Sequence, residues 1–419
     1  MYKNTGIYLT NNSDKHKVIN LIVENKLPGL VISNDQTKGA LFSTITLKKM
    51  LNDELKHDHI IIKTDLNNGL QTMSSGQQRI GLLNYLIARN PAYLILDDVY
   101  GNIDQQTQLS INQTFKEISA SIQIIQLFYR KQDLLPCIDT VLTMNNTNEV
   151  TDFEDTKIFI NSKNDPKISK KFILPEQYNT NDIQTDTLID LRTVSVQYDK
   201  KHVLTNINWI VRKGEFWQLV GPNGSGKSTL ISLLTGDNPK AYGQNITLFG
   251  RKKGSGESIW DIKRQIGYFT PAMIQLFTHV DTIENMIISG LNDSVGLYVQ
   301  PSDIQKDIAK QWIKMLGISK PDKLFHSLTD GMQRMVMVAR AMIKHPPLLI
   351  LDEPTIELDD ENSELFIEMV KAIAAEKKIA IIYVSHRNED ALCPDKIFEL
   401  MITDKGYTGA SKILKNASR

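Results

Sequence analysis

The run Gly221-Pro222-Asn223-Gly224-Ser225-Gly226-Lys227-Ser228-Thr229 constrains this chain more than any other segment. Strand-like Phe216 to Val220 precedes it and an apolar helical stretch from Leu230 follows, which is the strand–loop–helix setting of a Walker A loop. Glycines let such a loop wrap until backbone N–H groups and the helix N-terminus converge on phosphate oxygens. Lys227 would then reach the β- and γ-phosphates of ATP. Ser228 would coordinate Mg²⁺ directly, and Asp352, ending a buried strand-like run, would hold the same ion through its water shell.

Further positions fit that chemistry. Glu353 follows Asp352 and is placed to polarise the attacking water, and His386, at the end of another apolar run, is placed to contact the γ-phosphate. Tyr198, shortly before Val203-Leu204, reads either as a face on which adenine stacks or as a half-buried strand tyrosine.

Apolar runs alternate with helix-period stretches, the pattern of an α/β protein with buried strands; Ile60 to Ile62, Tyr93 to Leu96, Leu348 to Leu351 and Ile379 to Val384 are such runs. Lys plus Arg and Asp plus Glu are equal at 48 each, so no overall basic field exists to hold nucleic acid or an anionic membrane surface. Two cysteines without metal-ligand spacing, Cys137 and Cys393, suit a reducing compartment as buried small hydrophobes. The polar start, Met1 to Asp14, has no signal-peptide pattern, and no run approaches the roughly 20 apolar residues of a membrane-spanning helix. These features predict a cytoplasmic protein, peripheral at the inner membrane if it serves a separate integral-membrane permease.

An internal repeat organises the chain. Tyr93-Leu94-Ile95-Leu96-Asp97-Asp98 matches Leu348-Leu349-Ile350-Leu351-Asp352-Glu353; Met73-Ser74-Ser75-Gly76-Gln77 matches Leu328-Thr329-Asp330-Gly331-Met332; Ile124 to Arg130 matches Ile381 to Arg387. The polar stretch between about Asn145 and Asp186 reads as a linker. The expected domains are a degenerate unit over 1–150, a linker over 151–186 and a complete unit over 187–419.

Together these motifs resemble the ABC ATPase superfamily. More narrowly, Trp217 to Gly224, Leu234 to Pro239 and Leu248 to Lys263 look like the tandem-cassette ModF-type proteins, named for molybdate transport and sometimes labelled photorepair proteins. The resemblance is close from Leu188 to about Leu400 and begins only near Leu41 in the first half. It implies two fused P-loop NTPase cassettes of α/β fold, paired within the chain, each ATP lying between the Walker motifs of one and the signature of the other. One composite site is then complete: Gly221 to Thr229, Asp352, Glu353 and His386, closed by Ser74, Gly76 and Gln77.

The opposite site departs from the family pattern throughout. Val31 to Leu41 can be laid on Val220 to Leu230 with Lys38 under Lys227, or read as a surface turn carrying one lysine; on either reading no phosphate cradle survives. Asp98 stands where Glu is needed, Tyr129 stands in place of His, and Asp330 and Met332 interrupt the second signature. The first helical subdomain is also shortened. The resemblance implies an ATPase subunit of an anion importer, with molybdate suggested by the group's name, although Thr270-Pro271 stands where transporter cassettes place a glutamine. The alternative is a soluble ATPase acting on a macromolecule such as DNA or a ribosome; the basic cluster Arg251-Lys252-Lys253 is more simply a solvated loop.

Overall fold

The computed structural model describes residues 3–414 except 12, 33–38, 58–59, 61, 63–68, 71–72, 74, 102, 104, 146, 163–171, 176–184, 200, 278–280 and 386–388. It divides into two compact units, one comprising Met1–Lys167 with Glu357–Asn362, the other Ile168–Ile356 with Ser363–Arg419.

In the first unit the chain runs β1 (Thr5–Tyr8), α1 (Lys15–Val23), β2 (Ala40–Phe42), α2 (Thr44–His57), α3 (Ser75–Ile87), β3 (Tyr93–Asp97), α4 (Gln105–Ile118), β4 (Gln123–Phe128), β5 (Thr140–Met144), β6 (Val150–Asp155) and α5 (Thr156–Asn161). Its sheet has the order β2-β3-β4-β1-β5-β6. All pairs are parallel except β5 with β6. The strands read as unbroken apolar runs because both faces are covered. Tyr93, Ile95, Ile125 and Leu127 pack with Val18, Ile19 and Ile22 of α1. Leu94, Leu96 and Ile124 pack on the other face with Leu82, Leu83 and Leu86 of α3 and Ile111 and Phe115 of α4.

The second unit contains β7 (Thr187–Tyr198), β8 (Lys201–Arg212), β9 (Phe216–Val220), α6 (Lys227–Leu234), β10 (Ile246–Leu248), β11 (Arg251–Lys252), α7 (Ile259–Lys263) and β12 (Ile266–Phe269). A helical segment follows, α8 (Ile283–Ile288), α9 (Asp303–Leu316) and α10 (Asp330–Met342), and then β13 (Leu348–Asp352), α11 (Asp360–Ala375), β14 (Ala380–Val384), β15 (Lys396–Thr403) and β16 (Gly406–Ile413). The sheet order is β11-β10-β7-β8-β16-β15-β9-β14-β13-β12, with β15-β9-β14-β13-β12 parallel. Beneath the sheet, α6 contributes Leu230, Ile231, Leu233 and Leu234 to a core in which Trp209 stacks on Phe398 at 4.4 Å between ring centroids. In the helical segment, α9 opens with a Ser302–Gln305 capping box and closes on left-handed Gly317, so its ends are fixed by local chemistry.

The order β2-β3-β4-β1-β5-β6 reproduces β12-β13-β14-β9-β15-β16, so the repeat begins at β1, ahead of the Val31 to Leu41 stretch laid on Val220 to Leu230. Three other expectations differ from the structure. Ile60 and Ile62 lie outside any strand, Ile62 being buried in a bend, and Ile61 lies outside the described residues. Cys393 is exposed at φ 47°, and Cys137 is half-buried. β6 and α5 occupy residues 150–161, inside the stretch read as linker.

Candidate functional site

Because β9, β14, β13 and β12 run parallel, their carboxyl ends share one edge of the second unit's sheet, where loops of α/β folds collect ligands. Leu219 pairs with Val384, and Val384 with Asp352. The glycine-rich loop, the acidic pair Asp352-Glu353 and Ser385 therefore emerge side by side.

The loop's glycines are required individually. Gly226, the N-cap of α6, has φ 91°, and a Cβ there would lie 2.7 Å from Leu204 Cδ2. A Cβ on Gly221 would lie 2.7 Å from Ser225 Oγ and 2.9 Å from Leu400 Cβ. At Gly224, φ 74°, nothing stands within 4 Å of the Cβ position, which leaves that side of the loop open. Lys227 is 8% exposed and donates from Nζ to the carbonyls of Gly221 (2.8 Å) and Pro222 (2.9 Å), so its ammonium sits at the mouth of the loop. Ser225 Oγ is buried without a hydrogen-bond partner among the described residues. Ser228 and Pro222 are exposed, and Asn223 and Thr229 are half-buried. A positively charged, self-contained cradle of this kind suits a phosphate chain.

Asp352 ends β13, half-buried, with the Tyr268 hydroxyl 3.5 Å from its Oδ2. Glu353 follows at φ 50°, a left-handed conformation that non-glycine residues rarely adopt and that surrounding bonds must hold. Its N–H donates to Val384 O at 2.9 Å. From α10, buried Arg334 donates to Pro354 O at 2.9 Å and to Ile356 O. Thr355 donates to Glu389 at 2.8 Å. The hairpin joining β7 to β8 carries Tyr198, paired with Lys201, and its Val203 and Leu204 pack against Gly226. The Tyr198 ring is 42% exposed; its hydroxyl accepts from Asn238 Nδ2 at 2.8 Å, and Lys240 Nζ lies 6.0 Å from the ring centroid. Of the other candidates, His386 and Ser74 lie outside the described residues. Gly76 is buried in the first turn of α3 and Gln77 is exposed.

The equivalent edge of the first unit is built differently. Ile7 pairs with Leu127, and Leu127 with Asp97, the same register as Leu219, Val384 and Asp352. Counting from β1 therefore places Leu9 under Gly221, Asp14 under Gly226 and Lys15 under Lys227. This replaces the alignment through Lys38, which lies outside the described residues, and Ala40 belongs to β2. Asp14 caps α1 and its carboxylate accepts from Lys17 N at 3.1 Å, taking the helix N-terminus that a phosphate would need. Lys15 Nζ lies 3.1 Å from Asp97 Oδ2. Burial pushes the Asp97 carboxyl above the usual range, and the Lys15 ammonium opposes the shift. Asp98, at φ 52°, is held by Arg79 at 3.0 Å. Sequence reading missed Lys15 because it looked for glycines. The available signal was a strand, a polar turn, a lysine and an apolar helix in succession.

Residues 204–356 match the ABC transporter family. The chain is 34% identical over 338 residues to the ABC transporter ATP-binding protein ModF of Escherichia coli K12, covering 78% of this chain and 69% of that protein. An uncharacterized ABC transporter ATP-binding protein of Schizosaccharomyces pombe is 29% identical over 341 residues, covering 78% and 67%. Among solved structures, the archaeal ribosome recycling factor aABCE1 in complex with ribosomal stalk protein aP1 has a TM-score of 0.60 at 15% identity, covering 97% of this chain and 85% of that chain, a likeness of fold. With the parallel sheet, the glycine cradle and the acidic strand end at one edge, the chain belongs to the ABC ATPase family of ATP-hydrolysing P-loop enzymes.

Proposed function

We propose that this chain is the ATP-hydrolysing subunit of an anion importer, with turnover confined to the Walker motifs of the second unit. One observation carries the asymmetry: in the first unit both strand-end acids are engaged by cations of that same unit, Asp97 by Lys15 and Asp98 by Arg79. In the second unit Lys227 is held by carbonyls of its own loop, within reach of a phosphate chain.

On this reading Lys227 and the loop N–H groups bind the β- and γ-phosphates, Tyr198 stacks on adenine, and Glu353 aligns water for attack on the γ-phosphorus while His386 steadies the transferring group. Mg²⁺ would neutralise developing charge, held by Ser228, by Asp352 through water and by phosphate oxygens. Such a site needs few protein carboxylates. From the sequence, Ser74, Gly76 and Gln77 would supply the closing signature. The importer reading is supported by similarity to a protein called an ABC transporter ATP-binding protein, and molybdate-like oxyanions are the cargo to test first. No described helix is long and apolar enough to cross a membrane.

Affinity capture tests this reading. The Glu353→Gln chain, held with ATP and Mg²⁺, should retain an integral-membrane permease from cells; retention of nucleic acid or ribosomal particles instead would replace the importer with an ATPase acting on a macromolecule.

A further inference from the structure

We infer that Tyr268 is a positioning residue for Asp352, fixing the carboxylate that serves the metal in ATP hydrolysis; the inference rests on the proposed role of Asp352. Tyr268 lies on β12, paired in parallel with β13 so that Tyr268 stands opposite Ile350. Side chains alternate along a strand, so Tyr268, Ile350 and Asp352 share one face, with Asp352 the diagonal neighbour of the tyrosine. The hydroxyl comes 3.5 Å from Asp352 Oδ2. That separation is at the long end for a hydrogen bond.

The surroundings favour a donor role. The ring is partly buried against the core that includes Ile350 and Leu348, which fixes its plane without engaging the hydroxyl. A phenol is protonated near neutrality and meets an ionised carboxylate as the donor. A phenol donating to one carboxylate oxygen limits rotation about the Cβ–Cγ bond and so sets the direction in which the carboxylate faces the metal's water shell. Partners of this kind affect metal affinity or activity by about 10–100-fold in other metal sites.

Tyr268→Phe keeps the ring and removes only the hydroxyl. In the full chain, ATP binding without divalent metal should match wild type, while the Mg²⁺ concentration for half-maximal turnover should rise and kcat should fall, together by about tenfold. In an Asp352→Asn background, Tyr268→Phe should add less than about twofold, because the group it positions has been changed. Equal Mg²⁺ dependence and kcat in Tyr268→Phe and wild type would overturn the inference. So would a fall in kcat with unchanged Mg²⁺ dependence, or full additivity with Asp352→Asn. If Asp352→Asn alone turned over normally with unchanged Mg²⁺ dependence, the assignment of Asp352 would fail, and the inference with it.

Discussion

Removing the Lys15 ammonium should unmask a buried charge in the first unit. The Asp97 side chain is 2% exposed and that of Lys15 29%, with Nζ 3.1 Å from Oδ2; Asp97 Oδ1 is buried without a hydrogen-bond partner among the described residues. Deleting one partner of a buried ion pair costs about 3–5 kcal/mol, because the survivor is left desolvated. Lys15 is reached by some water, so Lys15→Met should fall at or below the lower end of that range, at about 2–3 kcal/mol. For a unit of this size about 1 kcal/mol shifts Tm by roughly 2–4 °C, which gives a drop of about 4–12 °C in the first unit's transition. Calorimetry on the full chain would measure it, with ATP added to move the second unit's transition upward. The pH dependence has a definite sign. Burial raises the folded-state pKa of Asp97, so its protonation favours the fold in acid and its ionisation penalises the fold as pH rises. Lys15 offsets that penalty. The Lys15→Met deficit should therefore be largest near neutrality and shrink as pH falls toward about 5, and Lys15→Met with Asp97→Asn should recover most of it. A Lys15→Met chain melting within about 1 °C of wild type near neutrality, or a deficit that grows in acid, would refute the reasoning.

Other outcomes follow from the second unit. Glu353→Gln should lower phosphate release by about 100-fold or more while ATP binding persists, and Asp98→Asn should leave turnover within about twofold, both read by a phosphate-release assay. Gly226→Ala would force a side chain into a left-handed position 2.7 Å from Leu204 Cδ2, and nucleotide titration should show at least about a tenfold loss of ATP affinity. Tyr198→Ala should raise the KM for ATP by about tenfold with little change in kcat, because base stacking contributes about 1–3 kcal/mol to binding and little to the reacting atoms.

The second unit was legible because its chemistry is written in contiguous residues. A glycine at 226 answers to a φ of 91°, and an acid at 352 answers to the end of a buried strand, so motif and geometry coincide. The first unit was legible only where strands were long and apolar, as in β3 and β4, and its start was misplaced. β1 has four residues and its loop has no glycine, so only the succession of strand, polar turn, lysine and apolar helix marked Lys15. Its role appears only when sheet order and register put it beside Asp97. The Tyr268–Asp352 approach was hidden for the same reason, being a pairing between strands far apart in sequence.

The central claim, one hydrolytic nucleotide site per chain, is tested most directly by counting bound nucleotide. The Glu353→Gln chain saturated with radiolabelled ATP and Mg²⁺ should retain one ATP per chain after rapid desalting, and the added Lys227→Ala substitution should abolish retention. Two ATP per chain, or retention that survives Lys227→Ala, would contradict the account.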